Sequence, residues 1–205
     1  MFSPEGRRFA WKADDTGDDS VLATGSIAGS GMVPGTRLAM HGSINSISFS
    51  PDGRFLAASC EGGQVEVWNC ATCRSIFRDG AGAPACYTIP HSWSPDGRFL
   101  AVGVADEKQS GPQGFSVYDL QESRRVLAVW NFDDPPPFAI GPDGPDVIAA
   151  RVDETHRELQ CYDARSGEVM NSVPLPYPAD VLALSGDRKE LVAASRGKVM
   201  VFGVG

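Results

Sequence analysis

Four residues carry the most specific chemical spacing in the chain: Cys70, Cys73, Cys86 and His91. Two residues separate the first pair, twelve intervene before Cys86, and four more before His91. Thiolates and an imidazole at such intervals are the donor set of a tetrahedral zinc site. A zinc finger also needs a helix or knuckle to converge its ligands, and this stretch predicts turns and strands. Cys70 and Cys73 therefore read as turn residues, with Cys86 and His91 flanking the start of the next strand, and no metal or cofactor is expected.

Other chemistry is weaker. His41, His91 and His156 are far apart in sequence, and each reads as bonding a neighbouring strand or turn rather than as a catalytic base. No Gly-x-Ser-x-Gly occurs, which removes the nucleophile elbow of an α/β-hydrolase. Gly29-Ser30-Gly31 lacks the Lys of a phosphate loop and reads as a flexible connector within an irregular stretch, Gly25 to Gly35. Asp14, Asp15, Asp18 and Asp19 could hold Ca²⁺ loosely, but the closing Glu of an EF-hand is missing, so a solvated acidic loop is expected.

The elements that position these residues repeat. Ser50-Pro51-Asp52-Gly53 precedes the apolar run Phe55-Leu56-Ala57-Ala58, and then Val65-Glu66-Val67-Trp68-Asn69 alternates in polarity. Pro presets φ, Asp bonds its own backbone and Gly accepts positive φ, so the motif is a turn between strands. Ser94-Pro95-Asp96-Gly97 repeats it; Ser3-Pro4-Glu5-Gly6, Gly141-Pro142-Asp143-Gly144 and Ser185-Gly186-Asp187-Arg188 vary it. Prolines 4, 51, 95 and 142 are spaced 47, 44 and 47 apart. A period in the mid forties with several strands per repeat is that of a propeller blade. The runs after each turn are apolar on both faces, as stacked blades require. A β-sandwich is the alternative all-β architecture.

The third strand of each repeat carries a family resemblance. Val65-Glu66-Val67-Trp68-Asn69 resembles the closing strand of a WD repeat, with Asn for the usual Asp. Phe115-Ser116-Val117-Tyr118-Asp119 and Leu159-Gln160-Cys161-Tyr162-Asp163 fill the same slot with Tyr for Trp. His41-Gly42 stands near the family's Gly-His pair, in inverted order. TolB-like propellers share the Ser-Pro-Asp-Gly turn and are the second choice. The resemblance implies a β-propeller of four-stranded antiparallel blades, about four and a half of them on the repeat count. The blades are expected near 1–40, 41–79, 86–131, 136–174 and 179–205, the first and last incomplete. A partial propeller is expected, a piece of a larger one with further blades outside the chain; an irregular five-bladed ring and an open arc that closes by oligomerising are the alternatives. The resemblance also implies a structural role for Trp68, Tyr118 and Tyr162, buried between blades, and a protein-interaction scaffold rather than an enzyme.

Composition agrees with these readings. The 205 residues include 23 Gly and 15 Pro, suited to a chain of turns. A formal charge of −8 argues against a nucleic-acid binder. No run of about 18 apolar residues marks a membrane-spanning helix. Five cysteines, an odd number without framework spacing, suggest a reducing, cytoplasmic compartment.

Propeller loops fall on two faces. Those joining strands two to three and blade to blade hold Asp14, Asp15, Asp18, Asp19, Glu61, Asp79, Asp106, Glu107, Asp133, Asp134, Asp153, Glu154 and Glu158, which is 13 of the 26 acids. The same loops hold Lys108, Arg157, Arg196 and Lys198. The opposite face is mixed, with Arg7, Arg54, Arg74, Arg98, Arg124, Arg125, Arg165, Arg188 and Lys189. An acidic rim fits a basic protein or peptide partner, or simply keeps the protein soluble. Phe132, Pro135, Pro136, Pro137 and Tyr177 are the candidate apolar anchors on that rim. The rival reading is a propeller domain associated with a hydrolase or peptidase, which should line its channel with carboxylates and histidines. Ile44, Asn45, Thr88, Ile89, Phe138, Val181 and Leu182 stand there instead.

Overall fold

The computed structural model describes all residues except 17–18, 30, 81–85, 107–112, 133–135, 142–143, 145, 154–155 and 205, and the side chains of 14–16, 86–90, 105–106 and 131. Among the described residues every regular element but one 3₁₀ turn at Glu61–Gly63 is a strand. Two compact units divide the chain, Met1–His91 and Ser92–Gly205.

The first unit opens with a sheet of β1 (Arg8–Thr16), β2 (Asp19–Ala28) and β3 (Gly31–His41), in that order. A second sheet follows, β4 (Ile44–Phe49), β5 (Phe55–Cys60), β6 (Val65–Asn69) and β7 (Arg74–Asp79). The division between the units falls inside β8 (Cys86–Trp93). β9 (Phe99–Asp106), β10 (Gln113–Asp119) and β11 (Arg124–Phe132) join β8 in the order β11-β10-β9-β8. The next sheet is β12 (Phe138–Ile140), β13 (Val147–Val152), β14 (Arg157–Tyr162) and β15 (Val169–Pro174). β16 (Val181–Leu184), β17 (Glu190–Ser195) and β18 (Lys198–Gly203) form the last. All registered pairings are antiparallel. From β4 onward the sheets span 44–79, 86–132, 138–174 and 181–203.

The repeated turn is built by its serine. Ser50 Oγ accepts the Phe55 N–H at 2.9 Å and donates to Asp52 Oδ1 at 2.7 Å, while Asp52 accepts the Arg54 N–H at 2.9 Å. Gly53 closes the turn onto the Ser50 carbonyl at φ +68°. Ser94 with Asp96, and Ser185 with Asp187, reproduce the network. Arg188 fills the glycine slot of the last copy at φ +59°, a conformation costly for a side-chain-bearing residue. Ser3 keeps its bond to the Arg8 N–H although Glu5 replaces the Asp.

The first sheet corrects the reading in one place. Gly25 to Gly35 is not an irregular connector: it lies mostly in β2 and β3, paired from Gly25↔Pro34 to Ala28↔Gly31. Glycine content concealed strand character here, because pairing in a hairpin needs backbone, not Cβ. The acidic stretch is likewise largely strand, with Asp14, Asp15 and Asp19 in the β1–β2 ladder.

Burial explains the apolar runs. Leu56, Ala57 and Ala58 on β5 are 0–1% exposed, on both faces of the strand. In the first unit a core joins Ala10, Leu22, Leu38 and Met40 to Phe49, Leu56 and Trp68. Among the described residues the second unit shows two cores. One gathers Phe115, Phe132, Phe138 and Tyr162, their rings 5.5–6.3 Å apart, and the other packs Leu159, Leu175, Leu182 and Leu191.

Candidate partner-binding rim

The end of each third strand shows why an Asp or Asn stands there. Asn69 Oδ1 accepts the N–H groups of Ala71 and Thr72 at 2.9 and 3.0 Å. Asp119 Oδ1 accepts those of Gln121 and Glu122, and Asp163 Oδ1 those of Arg165 and Ser166. Three residues on from each turn's start, Cys73, Ser123 and Gly167 take positive φ. The aromatic before each cap is buried: Trp68 is 4% exposed, Tyr118 3% and Tyr162 1%. Burial pushes the Tyr162 hydroxyl up to about 12.

A cleft of about 300 Å³ opens in the second unit where β11, β13 and the β15–β16 connection meet. Phe132, Pro136, Pro137, Arg151, Asp153, Pro178 and Asp180 line it. Four rim residues singled out from sequence, Phe132, Pro136, Pro137 and Asp153, thus share one cleft. Tyr177 is next to its Pro178, 43% exposed, with Lys198 Nζ 3.5 Å from its ring centroid. Asp79 belongs to the other unit, half-buried opposite Val65 on β6. Asp106 ends β9, its side chain outside the described residues; Glu107, Asp133, Asp134, Glu154 and Pro135 lie outside them altogether.

Two expectations change. Phe132 is not an exposed anchor: at 9% exposure its ring packs on Phe115 and Tyr162, because the last residue of β11 turns into the aromatic core. The acids, too, are partly neutralised. Asp153 accepts from Arg151 Nε at 3.0 Å and from the His156 N–H at 2.6 Å, and Asp19 meets His41 Nδ1 at 2.7 Å. Asp180 accepts from Ser195 Oγ at 2.6 Å.

The turn face of the second unit carries a larger cavity, about 600 Å³, lined by Arg98, Arg124 and Arg165 with Asp96, Asp119 and Glu122. Sequence reasoning missed its central pair. Arg98 donates to both oxygens of Asp119 at 2.6–3.1 Å, with the carboxylate side chain 3% exposed. Burial opposes ionisation of Asp119, but the Arg98 fork and two backbone N–H groups hold it below the usual carboxylate range. Opposite charges spaced as these are, 21 residues apart, leave no local pattern to read.

The zinc spacing dissolves into turns and strands. Cys70 and Cys73 occupy the β6–β7 turn, and burial pushes the Cys70 thiol up to about 11, far from a ready thiolate. The Cys86 side chain is outside the described residues, and among those described no three metal-binding side chains converge. His91 instead sits between two serines, Nδ1 2.7 Å from Ser48 Oγ and Nε2 2.8 Å from Ser59 Oγ, and burial lowers it to about 4.

Residues 32–69 match the WD40 family (WD domain, G-beta repeat). The match runs from β3 to Asn69, the residue that caps the β6–β7 turn. A solved structure, the Cps50 (Swd1) β-propeller domain of Myceliophteria thermophila, aligns with 100% of the chain at TM-score 0.71 and 18% identity. The fold is that of a β-propeller. The chain spans 65% of the length of that solved domain, and no curated protein matches it in sequence. In this propeller, Trp68, Tyr118 and Tyr162 occupy the aromatic slot of three successive WD-like third strands, each followed by the Asn or Asp that closes the next turn.

Proposed function

We propose that this WD-repeat-like propeller is a protein-interaction scaffold that takes a partner segment on its loop rim, in the cleft of the second unit. The observation that carries this is the cleft itself: three prolines and Phe132 line the same space of about 300 Å³ as Asp153 and Asp180. Prolines give a rigid apolar wall with little entropy to lose on binding, and carboxylates at the mouth orient a basic segment. WD propellers as a class act as non-catalytic scaffolds, and the geometry fits that role better than a hydrolase reading. A reducing, cytoplasmic setting suits the free thiols Cys60, Cys70, Cys73 and Cys161.

The test is binding to arrays of basic peptides at two salt concentrations. Tyr177→Ala/Asp180→Lys should weaken binding about tenfold, the size of losing one modest anchor and a steering charge. Arg124→Glu/Arg125→Glu, on the turn face, should change it little. Equal losses from the two double variants, or binding indifferent to salt, would remove the rim as the partner site.

A further inference from the structure

Five backbone hydrogen bonds set the sheets in one frame: the N–H of Ser3, Ser50, Ser94, Gly141 and Ser185 each donates to the carbonyl oxygen five residues on, at 2.7–3.0 Å. Positions at equal distances from these bonds are equivalent from sheet to sheet. In the fourth sheet, β12 to β15, Ala139, Ala150 and Leu159 are 2–6% exposed and pack on Leu182, Leu191 and Ala193 of the last sheet. Their equivalents in that last sheet are Ala183, Ala194 and Val199.

Those equivalents share one face of β16 to β18. Residues directly opposite in an antiparallel ladder point the same way, and alternate residues of a strand share a face. The rows Val181↔Ala194↔Val199 and Ala183↔Val192↔Val201 therefore lie on one side. There Val181 is 58% exposed, Val199 67% and Val201 57%. The last sheet repeats the apolar face that the fourth sheet buries, and leaves it open.

The first sheet shows the converse half. Phe2 stands opposite Phe9 as Phe49 stands opposite Leu56, and Trp11 follows Phe9 as Ala58 follows Leu56. Phe49, Leu56 and Ala58 are buried in the core that joins the second sheet to the first. In the last sheet the same positions are Leu184, Leu191 and Ala193, which receive the fourth sheet. In the first sheet they are open: Phe2 is 61% exposed and Trp11 41%, joined through Phe9 in a row of rings 6.1 and 5.3 Å apart. Gly25 makes room for that row. It stands opposite Phe9 where Trp68 stands opposite Leu56, and a Cβ there would come within 2.4 Å of the Phe9 ring. Among the described side chains, charge on the two faces is peripheral, with Glu190 at the turn end of one and Arg37 on the outer strand of the other.

One molecule thus carries both halves of the contact that stacks its own sheets, and both are uncovered. Contiguous exposed apolar surface marks an interaction site. We infer that this protein self-associates head to tail: the Val181, Val199 and Val201 face of one copy packs on the Phe2, Phe9 and Trp11 face of a second, as the fourth sheet packs on the last within one chain. Two different faces meet, so the contact builds a ring where its rotation closes and a chain of copies where it does not. It shares no residue with the lining of the rim cleft.

The test is sedimentation velocity of the full chain over a concentration series, where the mass of wild type should rise above the monomer. Val199→Glu/Val201→Glu, on the last sheet, and Phe2→Glu/Trp11→Glu, on the first, should each weaken self-association about thirtyfold or more, the scale of losing a central apolar contact. All four side chains are exposed, so each variant should keep the far-ultraviolet circular dichroism of wild type. Val199→Thr/Val201→Thr, which keeps strand-forming residues, should weaken association in the same direction if the glutamates disturb β18. An equimolar mixture of the two Glu variants is decisive. Each supplies the face that the other lacks, so the mixture should form a one-to-one heterodimer and nothing larger. Wild type monomeric at every concentration, self-association that either variant leaves unchanged, or a mixture that stays monomeric while wild type associates would overturn the inference.

Discussion

Single residues do two kinds of work in this protein: they close turns and they join strands. Ser50, Ser94 and Ser185 close one set of turns, and Asn69, Asp119 and Asp163 the other, each with one side-chain oxygen and short-range bonds. His91 joins strands, lying between Ser48 on β4 and Ser59 on β5. Burial lowers its pKa from 6.5 to about 4. The unfolded chain therefore binds a proton that the folded chain refuses between those values, and stability must fall with acidity there. His91 contributes its full stabilisation above about pH 6.5; it loses up to about 3 kcal/mol as pH falls to about 4, and no more below. Urea melts of wild type and His91→Gln should diverge in their pH dependence across that window. Parallel curves would show that His91 is solvated in the folded state.

At the scale of elements, burial of the third-strand aromatics holds sheets to their neighbours. Trp68 packs in one core with Leu38 on β3 and Phe49 on β4, so it bonds two sheets of the first unit. Trp68→Ala should cost about 3–5 kcal/mol, the range for deleting a large buried aromatic. A loss under about 1 kcal/mol in chemical denaturation, typical of surface sites, would contradict that packing. This scale is also where the sequence was most informative. Turn chemistry is local, so Ser-Pro-Asp-Gly announced β5 and β9, and the aromatic-Asp or aromatic-Asn ends announced β6, β10 and β14. The first sheet was harder: its Gly-rich β2–β3 hairpin has no turn motif of that kind, and its bulge depends on a hydroxyl at Thr24 meeting backbone twelve residues away. The cleft was legible only in part. Asp153 was visible as a rim acid, but its pairing with Arg151 follows from side-chain geometry within a strand end, and the burial of Phe132 follows from packing against Phe115 and Tyr162. Neither leaves a periodic signal.

At the scale of the whole molecule, the propeller fold supplies rigid sheets and leaves recognition to what joins them. Within the second unit the two loop faces differ in kind: the rim cleft sets three prolines beside a single ion pair, Arg151–Asp153, whereas the turn-face cavity is lined mainly by charges, paired as in Arg98–Asp119. Internally satisfied charges offer a ligand little, since binding there must first break them. We propose on this contrast that partners meet the second unit on its rim. Hydrogen–deuterium exchange on the full chain, with and without the tightest basic peptide from the array, tests it most directly. The account predicts slowed exchange in peptides covering 150–153 and 175–181, with those covering 94–98 and 119–124 unchanged. Protection confined to the 94–98 and 119–124 turns, with none at 175–181, would contradict it.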